Sequence, residues 1–256
     1  ITSPTVTNTY TKWSMLSFFG RMNYKFNEKY LASFSLRADG ASRLAEGHKW
    51  GYFPSASLGW RINEENFMKD VKWIDNLKFR VSWGLSGNSS VDPYGTQATL
   101  SPNNLYYFLG AGTAAADIAG KIPSTMANPD LKWEKTSAYD FGLDFGFLNN
   151  RINGSIDVYF NKTTDLLFYK TAPASSVFTT VTSNIGNSKG NGIELALNTR
   201  VIESKDFVWD INWSYSHMTD KITELADGVN YYIDGTTIYK VDEPVKAFYD
   251  YETDGC

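Results

Sequence analysis

The chain has 256 residues, with 24 Lys and Arg against 28 Asp and Glu, giving a formal net charge of −4. That mildly acidic balance argues against a nucleic-acid binder, which usually carries a basic stripe. The only cysteine, Cys256, excludes a disulfide framework or a paired-cysteine metal site.

Two isolated histidines, His48 and His217, do not suffice for a zinc site, so no metal or other cofactor is expected. The 16 Phe, 16 Tyr and 8 Trp suit β-sheets or the aromatic belt of a membrane interface. No run of apolar residues is long enough for a membrane-spanning helix. That leaves transmembrane barrels open, because their strands alternate apolar and polar residues. The sequence opens on Ile1 with no signal peptide, and both ends are expected to be cut from a longer chain.

Alternation with period two marks the strands, since successive side chains point to opposite faces. The first strand sets Leu16, Phe18, Gly20, Met22, Tyr24 and Phe26 on one side, and Asn27 to Lys29 make a turn. The second sets Ala32, Phe34, Leu36 and Ala38 against Ser33, Ser35, Arg37 and Asp39. A polar loop over 40–49 leads to a third, with Tyr52, Pro54, Ala56, Leu58, Trp60 and Ile62 on one face. A connector over 63–76, with room for a helical turn, precedes the fourth, where Leu77, Phe79, Val81, Trp83 and Leu85 oppose Lys78, Arg80, Ser82 and Gly84. A long non-periodic region over 87–133 follows.

The clearest element is the hairpin from Tyr139 to Phe160. Tyr139, Phe141, Leu143, Phe145 and Phe147 lie on one face and Asp140, Gly142, Asp144 and Gly146 on the other. After the turn Asn149-Asn150-Arg151, the apolar face continues through Ile152, Gly154, Ile156, Val158 and Phe160, and the polar face through Asn153, Ser155, Asp157 and Tyr159. A second long connection spans 165–189, with a strand extension expected over Val177 to Val181. A seventh strand (Ile193, Leu195, Leu197, Val201) and an eighth (Phe207, Trp209, Ile211, Trp213, Tyr215) flank a turn at 203–206. After a loop over 219–236, a ninth strand is expected to run toward Cys256.

Two patterns favour a membrane wall over a soluble core. The apolar faces of the eight strands carry no Lys, Arg, Asp or Glu, as a lipid-facing surface requires. Connections also alternate between short and long along the chain, as outer-membrane barrels do with short periplasmic turns and long extracellular loops. The fold expected is an all-β, antiparallel transmembrane β-barrel fragment of about eight or nine strands. The competing reading is a secreted or cell-surface soluble β-sandwich that binds glycans.

Particular runs resemble a known family. LRADGASR (Leu36–Arg43), WGYFPSASLGWRINEENFM (Trp50–Met68), LKFRVSWGLSGN (Leu77–Asn88), NPDLKWEKT (Asn128–Thr136), GLDFGFLNNRINGSIDVYFNKTTDLL (Gly142–Leu167), NIGNSKGNGIEL (Asn184–Leu195) and EPVKAFYDYETDG (Glu243–Gly255) look like SusC/RagA-type TonB-dependent outer-membrane transporters of Bacteroidetes. The resemblance implies that residues 1–256 are part of one receptor β-barrel domain. The plug domain, the signal peptide and the final strands are expected to lie outside it. It further implies a cell outer-membrane location, a parent barrel of about 22 strands, and energised import of glycan or peptide oligomers. The implied partners are a SusD-like surface lipoprotein and the TonB complex, besides membrane lipid and the cargo.

On that reading Phe141, Leu143, Phe145, Ile156, Val158, Trp209 and Trp213 face lipid, and Asp140, Asp144, Asp157, Arg37 and Arg80 line the lumen. The carboxylates are expected to be salt-bridged wall residues and not an acid–base pair. No nucleotide-binding, nucleophile-elbow or metalloprotease motif appears, and no enzyme activity is expected. Exposed loop aromatics offer large contact area at low entropy cost, which makes Tyr94, Tyr106, Tyr107, Phe108, Tyr231 and Tyr232, with Tyr239 beside them, candidates for cargo contact.

Overall fold

The computed structural model describes residues 10–106, 119–171, 178, 180–225 and 229–250. Eight long strands form one antiparallel sheet. They are β1 (Met15–Phe26), β2 (Tyr30–Ala41), β3 (Trp50–Arg61), β4 (Ile74–Asn88), β7 (Glu134–Phe147), β8 (Ile152–Thr164), β11 (Asn187–Glu203) and β12 (Val208–Glu224). They lie side by side in chain order, with β1 and β12 as the two edges. Shorter strands fill the gaps in the numbering. They are the hairpins β5 (Thr99–Tyr106) with β6 (Ala119–Thr125) and β9 (Leu167–Thr171) with β10 (Thr180–Asn184), and a small sheet of β13 (Tyr231–Asp234), β14 (Thr237–Lys240) and β15 (Ala247–Phe248).

The connections after β1, β3, β7 and β11 share one end of the sheet, the turn end, and those after β2, β4, β8 and β12 share the other, the loop end. The longest follow β4, β8 and β12, while the connector after β3 (62–73) is longer than the segment after β2 (42–49). At the turn end, left-handed backbone at Asn27 and Glu28, and at Leu148, Asn149 and Asn150, reverses the chain tightly. Asparagine tolerates that region because its short polar side chain bonds locally. The connector after β3 holds two short 3-10 turns, Ile62–Glu64 and Asn66–Met68, where a helical turn is expected. Its Glu65 accepts hydrogen bonds from Lys29 Nζ (2.9 Å), the Tyr30 hydroxyl (2.7 Å) and the Trp60 indole N–H (3.1 Å), tying three elements together.

Register joins the apolar faces into continuous rows. One row crosses the whole sheet through Phe26, Tyr30, Trp60, Phe79, Leu143, Ile156, Leu195 and Tyr215. It starts at the last residue of β1 and ends seven residues beyond Val208, where β12 begins. A stagger of about one residue per strand is that of a barrel whose strands tilt by about 36°.

The buried hydrophobic residues sit at the loop end: Ala41, Leu44, Ala45, Phe53, Val91, Leu131 and Trp133 in one cluster, with Ile185, Ile222 and Leu225 nearby. In the span itself the apolar face stays open, with Met22, Leu58 and Trp213 more than half exposed. A soluble sandwich would bury that face against a second sheet. Phe53, on the polar side by strand parity, stacks edge-on against Trp133 at 5.2 Å and fills the space over Gly51 and Gly87, where any Cβ would overlap its ring.

Three expectations need correction in detail. The region over 87–133 is not without structure, since it carries the β5–β6 hairpin. The second long connection carries two strands, β9 and β10; β10 starts at Thr180, within the expected stretch, and Val177 lies outside the described residues. After β12, the described residues form the small β13–β15 sheet and not a ninth wall strand. Asp234-Gly235, with Gly235 at φ +58°, folds this stretch into a tight hairpin that is too short to span.

Candidate functional site: the polar face and the loop end

Arg80 organises the polar face. Its Nε donates to both oxygens of Asp144 (3.1 and 3.0 Å) and its Nη2 to Asp144 Oδ1 (2.9 Å) and Asp157 Oδ1 (2.7 Å). Asp140 lies 3.9 Å from Nη1, and Lys78 Nζ lies 3.4 Å from Asp144. Alternation on β4, β7 and β8 puts all five side chains on one face, and register brings them together. Gly142 stands between Arg80 and Asp157 and leaves room for the guanidinium to cross β7.

An arginine is always charged and its rigid fork matches carboxylates. Asp144 and Asp157 are therefore held as acceptors, which suits a wall network and offers no free acid–base pair. Arg37 sits apart from this cluster. It donates to Asp39 (2.7 Å) near the loop end of β2, and Asp39 is buried. Between the two lies a ladder of hydroxyls, Ser33 with Ser57 and Ser35 with Ser55, each at 2.7 Å. By strand parity the residues expected toward lipid stand on the opposite face, Phe141, Leu143, Phe145, Ile156 and Val158 on β7 and β8, and Trp209 and Trp213 on the edge strand β12.

At the loop end, polar side chains bind the long connections to one another. Asn184 Nδ2 donates to the carbonyls of Lys132 (2.9 Å) and Asp165 (2.8 Å), while its Oδ1 accepts from Lys132 N–H (2.9 Å). Lys132 also pairs with Asp165 at 2.9 Å. This join was not legible in the sequence, because it links residues some fifty positions apart through backbone groups.

The loop aromatics divide. Tyr94 is 44% exposed, and its hydroxyl accepts from the Lys12 backbone N–H at 3.2 Å. Beside it, the Arg43 guanidinium lies 4.0 Å over the Trp13 ring, a contact the sequence reading missed. Tyr231 is 56% exposed on β13, and Tyr232 pairs with Tyr239 across β13–β14. Tyr239 packs edge-on against Phe168 at 4.6 Å, so it joins one loop to another. Tyr106 ends β5, and its side chain, Tyr107 and Phe108 lie outside the described residues. Among the described residues no group of His, Cys, Asp and Glu could hold a metal ion.

The meander, its stagger and the sorted loops point to a large barrel, and comparison with known proteins decides which kind. The family model of the TonB dependent receptor-like β-barrel matches residues 2–253. The chain belongs to this family. It is 40% identical to TonB-dependent receptor SusC of Bacteroides thetaiotaomicron over 228 residues, which is 88% of this chain and 22% of SusC. It is 35% identical to TonB-dependent receptor P3 of Formosa agariphila over 250 residues, 94% of this chain and 24% of that receptor.

Among solved structures, the RagAB peptide importer in its closed-closed state superposes with a TM-score of 0.82 at 31% identity, covering 92% of this chain and 25% of that one. Its open-open state gives 0.80 at 32%. The siderophore receptor PirA of Acinetobacter baumannii shares the fold alone, with a TM-score of 0.52 at 16% identity. The chain thus spans about a quarter of the receptors it matches. It is a barrel-wall portion of a SusC/RagA-type TonB-dependent receptor, a protein of the cell outer membrane.

Proposed function

We propose that the chain forms part of the wall and outer vestibule of a transporter that imports nutrient oligomers, glycans or peptides, with energy from TonB. The observation that carries the reading is the two-faced sheet with its long connections gathered at one end, in a chain of this receptor family. The apolar face meets lipid. The polar face, with Arg80, Asp140, Asp144 and Asp157, lines the lumen, and Arg37 lines it nearer the loops. The loop end, with Tyr94, Tyr231 and Tyr232, opens outside the cell, where a SusD-like lipoprotein closes over the cargo. TonB engages a part of the receptor beyond this chain. RagAB, at 31% identity, is a peptide importer, and glycan is the other class of oligomer carried in this proposal.

The test is uptake. Cells lacking the full-length gene should lose growth on one class of oligomer, short peptides or oligosaccharides, and regain it with the gene restored. Growth unaffected on every oligomer tried, in cells that place the protein in the outer membrane, would overturn the import reading.

A further inference from the structure

On the apolar face, three lysines stand side by side near the loop end. Lys162 on β8 pairs in register with Lys189 on β11, and Lys189 with Lys221 on β12. Strand parity puts all three on the same face as Phe160, Ile193 and Tyr215, and all three are exposed. Lys135 on β7, also exposed, lies on that face one step nearer the loops. Side chains directly opposite on neighbouring strands stand about 5 Å apart at Cβ, and like charges there repel. Lys221 is partly compensated by Asp242 at 2.9 Å. For Lys162 and Lys189 no ion-pair partner is found among the described residues.

Two residues toward the turn end, the next row on this face holds Trp83, Tyr139 and Phe160, with the Trp83 indole N–H donating to Ser137 Oγ at 3.0 Å, and continues as Asn191 and Thr219 beneath Lys189 and Lys221. An apolar band, then aromatics with a polar handle, then cations is the order of groups from hydrocarbon to headgroup in a bilayer. The turn end of the same face shows no such row: Phe147, Ile152, Thr199 and Ile211 pair there.

We propose that Lys162 and Lys189, flanked by Lys135 and Lys221, bind the phosphorylated headgroups of lipids in the leaflet on the loop side of the barrel. Phosphate between the ammonium groups turns a repulsive row into a bridged one, and the tails of the same lipid cover Phe160 and Tyr139 on the β8 side of the row. The inference rests on the lipid-facing assignment of this surface.

The test uses the full-length protein, wild type and K162Q/K189Q, reconstituted in nanodiscs of phosphatidylcholine alone or with bis-phosphorylated lipid A. Insertion of the wild type into neutral nanodiscs checks the lipid-facing assignment separately. Native mass spectrometry then counts retained lipid A. The double variant should insert as well as the wild type and retain lipid A about 25-fold more weakly, at about fivefold per lysine near an anionic surface. Equal retention by both proteins, or retention abolished by millimolar inorganic phosphate, would overturn the proposal, the second outcome marking a free-anion site. A wild-type protein that fails to enter neutral nanodiscs would instead remove the assignment on which the proposal rests.

Discussion

Arg80 reaches Asp157 at 2.7 Å across the backbone of Gly142, which stands between them in register. A Cβ at Gly142 would lie 2.6 Å from Arg80 Cζ and 2.5 Å from Asp157 Oδ1. Gly142→Ala should therefore push the guanidinium off Asp157 and lower stability by no more than about 1 kcal/mol, the value of a partly exposed ion pair, because the clashing atoms are the far ends of flexible side chains. Urea unfolding of the detergent-solubilised full-length protein measures this. In the R80M background the same alanine should cost much less, because the clashing group has gone. Equal costs in both backgrounds would contradict the account.

The two faces of β8 should respond oppositely to a positive charge. Ile156 sits 38% exposed in the row that crosses the sheet, and Ser155, beside it in sequence, pairs with Asp144 on the polar face. Ile156→Lys should cost about 2–4 kcal/mol if the site is near the bilayer midplane and reduce the amount of folded protein in the outer membrane. Ser155→Lys gains carboxylate neighbours and should assemble normally. Quantitative blotting of outer-membrane fractions distinguishes them, and normal assembly of Ile156→Lys would show that this row does not face lipid.

Much of this architecture is visible in single strands. The period-two pattern of the Tyr139–Phe160 hairpin predicts both its faces and its turn, and its own apolar positions stay free of charge in the paired sheet. The strands, however, run further than the pattern shows and bring Lys135, Lys162, Lys189 and Lys221 onto the apolar face near the loop end. What single strands do not contain is register. Arg80, Asp144 and Asp157 each read as polar-face residues, yet only the pairing of β4 with β7 and β8 makes them one network. Phe53 carries a different lesson. Parity puts it on the polar side, where a bulky ring looks misplaced until Trp133 arrives from a loop eighty residues later. The small β13–β15 sheet was missed because its strands are two to four residues long, below the length at which alternation can be seen.

At the turn end, acidity should loosen the connector after β3. Hydrogen bonding from Lys29, and then from Tyr30 and Trp60, holds the Glu65 carboxyl down from 4.5 to about 2. A carboxylate depressed in the fold stabilises it where the unfolded chain is also ionised, above about 4.5, and that contribution disappears as pH falls toward 2. Wild-type full-length protein should be more stable to urea than Glu65→Gln at pH 6, with the gap narrowing by pH 3. A gap that is constant over this range would show that the charge of Glu65 does not matter.

The loop aromatics give a prediction in which neighbours part company. Tyr231 is exposed on β13, whereas Tyr239, on the adjoining β14, is committed to Phe168. If the loop end receives cargo, Tyr231→Ala should weaken binding of the imported oligomer by about two- to tenfold, the value of one aromatic contact, and leave unfolding unchanged. Tyr239→Ala removes an edge-to-face pair between two connections, so it should make the loop end more sensitive to protease. Calorimetric titration of the full-length protein with its growth-supporting oligomer, together with limited proteolysis, separates the two effects. Tyr231→Ala with unaltered affinity would remove this tyrosine from the cargo surface. Unaltered affinity on changing Tyr94 as well would move that surface away from the described loops.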